Sequence, residues 1–252
     1  MLAQTLWWAD NALIAFLFVC AIRGRFLTKY AIFYSYLCGV LLLGSVRFYV
    51  IRFEPSSYLE IYWYTQFLLV AGGFSIIWQI YAHTLDPYPG TARMARVLVG
   101  TVFVTILTQQ LFTMFTGHSE ESIRSVIRLD RNLQSIQAVL IMVLIMLVWY
   151  YGIPLGRNTK GLLLGHGLLI ATRLITLTAQ SFFEISNAWW YHLEQTIGFA
   201  TLMVWAIAFR TYEPNPVPGR EAALEQDYEL IARRTAQALS RARGHLVRAL
   251  LQ

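Results

Sequence analysis

Seven apolar stretches, each of membrane-crossing length, follow one another along the chain at residues 6–22, 30–51, 60–82, 95–116, 132–155, 160–183 and 189–210. A stretch of that kind in hydrocarbon has no water to bond its backbone, so it satisfies its own N–H and C=O groups as a helix. The breaks carry Pro55, Pro87 with Pro89 and Gly90, Gly117, and Pro154 with Gly156, each beside polar or charged residues suited to a membrane surface. The expected fold is therefore all-α, an integral membrane seven-helix bundle over 1–212. A Pro-rich linker over 213–219 and a C-terminal cytoplasmic amphipathic helix over 220–252 follow it.

Composition excludes an ordinary soluble domain, because 57% of the residues are hydrophobic and only 13% are charged. The net charge of +6 does not call for nucleic acid, since the basic residues lie in short connections and in the tail. Arg23, Arg25 and Lys29 fall in the first connection, Arg93 and Arg96 in the third, Arg157 and Lys160 in the fifth, and more arginines in the tail. The positive-inside rule puts these on the cytoplasmic side of the cell's inner (plasma) membrane, with the N-terminus outside and the C-terminus inside. The connection at 117–131 is read as an outer loop in which Arg124, Arg128 and Arg131 are balanced by Glu120, Glu121 and Asp130. No basic region precedes the first stretch, which carries Asp10, so it is expected to stay as a helix and not to be cleaved as a signal peptide. Cys20 and Cys38 lie within apolar stretches and read as packed thiols.

Arg173 stands in the middle of the sixth stretch, where an ionisable group costs at least about 2.5 kcal/mol on insertion scales and normally turns inward to a partner. Counting about 1.5 Å per residue places Asp10, Arg47 and Glu194 at one outer level, with Arg173 near the centre or in the outer half. Gln66, Gln109, Gln110, Gln134, Gln137 and Gln180 fall in the outer halves as well. The inner halves are nearly all apolar, with Gln79 and His166 as the main exceptions. Two readings follow from this one-sided polarity. Either Arg173, Glu194, Asp10, Arg47, Gln66, Gln110, Gln137 and Gln180 line a pocket for a small anion, with Arg173 offering its fork of donors, or two ion pairs, Arg47 with Asp10 and Arg173 with Glu194, fix helix packing.

Other chemistry is thin. His83 and His166 lie at different depths, which disfavours a bis-histidine haem, and no HExxH, CxxC, GxSxG, P-loop or dinucleotide motif occurs. The only lysines, Lys29 and Lys160, are at the cytoplasmic surface, so a retinal Schiff base on the last helix is excluded. No catalytic residue, metal or cofactor is expected. Gly161, Gly165 and Gly167, and Gly72 with Gly73, are spaced for close helix contact. The tail from Arg220 to Gln252 repeats apolar residues at three and four and ends in arginines without acids, which suits anionic lipid, a protein partner or a solvated tail.

The sequence RNLQSIQAVLIMVLIMLVWYYGIPLGRNTKGLLLGHGLLIAT at 131–172 resembles the second half of short acidobacterial seven-helix proteins of uncharacterised function. The whole architecture also resembles the N-terminal seven-helix sensor regions of bacterial histidine kinases. That resemblance implies a sensor-like receptor signalling through a cytoplasmic partner protein, and the pocket reading of Arg173 makes its ligand a small anion taken from the outer side. A non-catalytic subunit of a larger membrane complex is the other expectation. A small transporter is a third, disfavoured by the lack of a polar path through the inner half.

Overall fold

The computed structural model describes residues 2–116, 119–182, 187–216 and 226–237. Among these the chain is helical, with no strand: α1 (Leu2–Arg23), α2 (Ala31–Phe53), a 3-10 turn (Pro55–Ser57), α3 (Tyr58–Thr84), α4 (Pro89–Thr116), α5 (Ser119–Tyr151), α6 (Arg157–Phe182), α7 (Asn187–Ala208) and a short α8 at 226–237. Among the described residues, three helical segments are long and apolar enough to cross a membrane, Ala31–Phe53, Pro55–Thr84 and Asp130–Tyr151. Large apolar side chains such as Leu42, Phe48, Met142, Met146 and Trp149 stand exposed on α2 and α5. Apolar surface that continuous marks contact with lipid or another apolar partner.

Two helices depart from the expected bounds. The 117–131 connection is helical from Ser119 onward, because α5 continues past its apolar part through a polar stretch with good helix formers. Its other end falls at Tyr151, earlier than residue 155, where Gly152 takes φ +61°, the left-handed turn that ends helices and favours glycine. Helix α4 begins at Pro89, where a missing N–H costs nothing, so the break at Pro87 and Gly90 is short. Of the expected tail helix, 226–237 is helical, while 220–225 and 238–252, with 217–219 of the expected linker, lie outside the described residues.

Helix α3 is the hub. It packs on α2, α4, α5 and α6, and its Ile76, Ile77 and Ile80 are fully buried. Helix α1 leans chiefly on α7 and barely touches α2. The α6–α7 seam is close because a Cβ on Gly161 would strike Ala208, and one on Gly165 would strike the indole of Trp205. Gly167 has no such duty, since its Cβ would meet Ile141 only at 3.7 Å.

The end of the bundle that carries Lys29 and His83 is closed by aromatic rings and by a backbone clasp. Phe33 stacks on Phe209 at 4.8 Å and meets Trp205 edge-on at 5.0 Å. Tyr30 gives α2 no side-chain cap, and Gln79 supplies one from α3, its Oε1 accepting from Phe33 N at 2.9 Å while its Nε2 donates to Lys29 O. The chain leaving α7 is then held by three connections. Asn158 Nδ2 donates to Ala208 O and Thr211 O, and its Oδ1 accepts from Glu213 N at 2.6 Å. Asn215 Nδ2 donates to His83 O and its Oδ1 accepts from Gly156 N. Gly156 is required there, because a Cβ would lie 2.9 Å from both Asn215 Oδ1 and Pro214 O. Phe26 stacks on Tyr212, and the Lys29 ammonium lies 3.9 Å from that ring's centre.

Asn158 is fully buried and makes three of these bonds, so Asn158→Ala is expected to destabilise the protein by about 2–3 kcal/mol. Denaturant unfolding in detergent measures the loss, and faster amide exchange over 209–215 localises it.

Candidate functional site

At the opposite end, polar side chains from four helices meet around a cavity of about 190 Å³. Arg47 on α2, Gln66 on α3, Gln134 and Gln137 on α5, and His166 and Arg173 on α6 supply its polar wall. Leu69, Val70, Leu169 and Ile170 supply apolar wall, joined by Tyr36 and by Gly73. Glycine at 73 makes room, since a Cβ there would lie 3.0 Å from the Gln137 carboxamide nitrogen and 3.4 Å from the His166 ring.

The two arginines have different partners. Arg173 Nη2 lies 3.8 Å from Asp130 Oδ2 and Nη1 lies 3.8 Å from Glu194 Oε2, so one guanidinium faces two acids. Both separations make ion pairs too long for hydrogen bonds. Arg47 meets no acid within ion-pair distance among the described residues. Its Nε donates to Thr65 Oγ1 at 2.6 Å, and its Nη2 donates to Gln66 Oε1 at 3.2 Å and to Tyr62 O at 3.3 Å. Tyr62 links the pair, its ring centre 4.4 Å from the Arg47 guanidinium carbon and its hydroxyl hydrogen-bonded to Arg173. Neither acid is a wall residue, whereas both arginines are, and Asp130 and Glu194 stand behind Arg173.

Several polar atoms around this cavity are buried without a hydrogen bond: Arg173 Nε, Asp130 Oδ2, Gln134 Oε1 and both ring nitrogens of His166. The backbone of Gly73 lies beside the His166 ring, without hydrogen-bond geometry. Each such group costs about 1–3 kcal/mol if nothing bonds it. Their concentration around one small cavity is the mark of a space suited to a polar guest, whether water or solute.

The expected site residues divide. Arg47, Gln66, Gln137 and Arg173 come together on the cavity wall, and Glu194 stands against Arg173 behind it. Asp10 does not join them. It forms no ion pair among the described residues and its Oδ1 has no partner, because α1 lies against α7 and leaves Arg47 to α3. The expected Arg47–Asp10 pair is thus replaced by bonds from Arg47 to Thr65, Gln66 and Tyr62. The side chains of Gln110 and Gln180 lie outside the described residues.

The largest correction concerns Asp130, which is no solvated loop charge but is only 3% exposed, held by Gln134 Nε2 at 2.5 Å and facing Arg173. Asp130, Gln134 and Gln137 recur at four and three residues, the spacing of one helix face, and that was the available sequence signal. His166 is also a wall residue, buried edge-on to Tyr36 with ring centres 6.5 Å apart. His83 lies at the far end, its Nε2 3.0 Å from Lys29 O, so the two histidines serve separate places. Comparison with protein-family models, curated proteins and solved structures gives no match to this chain.

Proposed function

We propose that the chain is a sensor-like receptor of a bacterial inner membrane, crossing it seven times with its N-terminus outside, and that it takes a small anion from the outer side into the Arg47–Arg173 cavity. The observation that carries this reading is the pairing of the arginines: Asp130 and Glu194 both lie 3.8 Å from the Arg173 guanidinium, while the side chain of Arg47 donates to the neutral Thr65, Gln66 and Tyr62. A carboxylate set against Arg47 would gain a charge-assisted contact in a place largely screened from water. The unbonded Gln134 Oε1 and His166 nitrogens offer a second set of contacts to hydroxyl or N–H groups of the same guest.

Signalling through the cytoplasmic face is supported by the helices that the cavity and the clasp share. Helix α6 carries His166 and Arg173 in the wall and Asn158 in the clasp, while α3 carries Gln66 at one end and His83 at the other. From α5, the Tyr151 hydroxyl donates to Asp227 of α8 at 3.1 Å. A shift of about 1–2 Å in one of these helices, a common amplitude for such switches, reaches the start of the tail without passing through a loop. A protein partner would read it from the tail beyond Arg220.

Thermal unfolding of the purified protein with small carboxylates, phosphate and neutral analogues of matching size tests the reading. A bound anion at 100 times its Kd is expected to stabilise by about 2.7 kcal/mol and to raise Tm, with no such rise from the neutral analogues. Equal shifts with charged and neutral compounds would remove the anion site.

A further inference from the structure

Two residues of the polar cavity's wall, Tyr36 and Leu69, also form wall of a second cavity, of about 530 Å³, which lies between α2 and α3. This groove follows α2 from Ala31 to Leu43, roughly 18 Å of helix at 1.5 Å per residue. Its lining holds no charged residue. Gly39 and Gly72 widen it, and Ser35 and Ser75 are its only other polar side chains besides Tyr36. Tyr36 stands where the two spaces meet, and Gly72 is what lets its ring lie there, since a Cβ at 72 would be 3.1 Å from Tyr36 Cδ2.

We propose that the guest is an amphiphile, a straight-chain carboxylate whose head occupies the polar cavity at Arg47 and whose alkyl chain passes Tyr36 into the α2–α3 groove. This rests on the reading of the polar cavity as an anion site. The division of chemistry carries it. Arg47, Gln66, Gln134 and Arg173 gather at one end of the joined space, and everything beyond Tyr36 is apolar or small. A dry cavity of about 150 Å³ is enough for benzene, so 190 Å³ houses a head and a few carbons and no long chain. A longer chain has the groove as its continuation, with Leu69 bordering both parts.

The test compares Kd across the even-numbered carboxylates from butanoate to dodecanoate, measured by calorimetry on purified wild type, Gly39→Leu and Ser35→Leu in one detergent. A Cβ at Gly39 meets nothing within 4 Å, so a larger side chain there fills groove and leaves the helix contacts alone. Partition of the acid into detergent is common to all three proteins and cancels in their ratio. In wild type, affinity referred to the free aqueous acid is expected to rise by about fourfold per methylene while the chain fills the groove. Gly39→Leu and Ser35→Leu should bind butanoate as wild type does and dodecanoate at least tenfold more weakly. Butanoate binding with the same chain-length dependence in all three proteins, or with none, would overturn the amphiphile and leave the anion site standing. Absence of binding at every length in wild type would overturn both.

Discussion

Arg173→Leu is expected to destabilise the protein by about 3–5 kcal/mol, more than any other single change at the cavity. The reason is Asp130. It is 3% exposed, and Arg173 is the only cation within ion-pair distance of it among the described residues, so removing the guanidinium leaves a buried charge supported by the Gln134 hydrogen bond and the more distant Arg47 alone. The double variant Arg173→Leu with Asp130→Asn should recover most of the loss, because the uncompensated charge goes with its partner. Denaturant unfolding of the four proteins of this cycle measures both effects. A loss below about 1 kcal/mol for Arg173→Leu, or no recovery in the double variant, would show that the pair carries little.

Arg47→Leu should behave in the opposite way, with a small stability loss and a large loss of anion binding. Its partners are neutral, and the Thr65 hydroxyl still has Ile61 O at 2.7 Å or Tyr62 O at 2.9 Å to donate to when the arginine is gone. The stability change is expected near 1 kcal/mol, whereas affinity for a carboxylate should fall at least about 30-fold, as when one side of a buried charge contact is cut away. Calorimetric titration of the variant checks the second number. The roles suggested by depth alone are therefore exchanged: Arg173 sits in the more conspicuous place, yet it faces Asp130 and Glu194, whereas Arg47 has no acid within ion-pair distance among the described residues.

Helix positions and the Arg173–Glu194 pair were legible because both depend on quantities that a sequence carries directly. Apolar length marks a helix, and a fixed rise per residue turns position into depth. Depth says nothing of which helices are neighbours, however, and this is where Asp10 was misplaced. It shares a level with Arg47, but α1 stands against α7 and α2 against α3. Asp130 was missed for another reason: α5 extends beyond its apolar part, so a residue outside the hydrophobic run is still on the helix and faces inward. The Gly161 and Gly165 seam was readable from spacing, and Gly167 shows that spacing alone overcounts. The clasp of Asn158 and Asn215 left no signal, since it joins helix ends and irregular backbone from segments 50 or more residues apart.

The most direct test of the anion site is a structure determined with a brominated carboxylate such as 4-bromobenzoate, whose ring suits a cavity of about 190 Å³ and whose bromine is located by its anomalous scattering. The account predicts one bromine between α2, α3, α5 and α6, with the carboxylate against Arg47, and none in crystals of Arg47→Leu. Bromine found only on the surface, or in the cavity of wild type and variant alike, would contradict it.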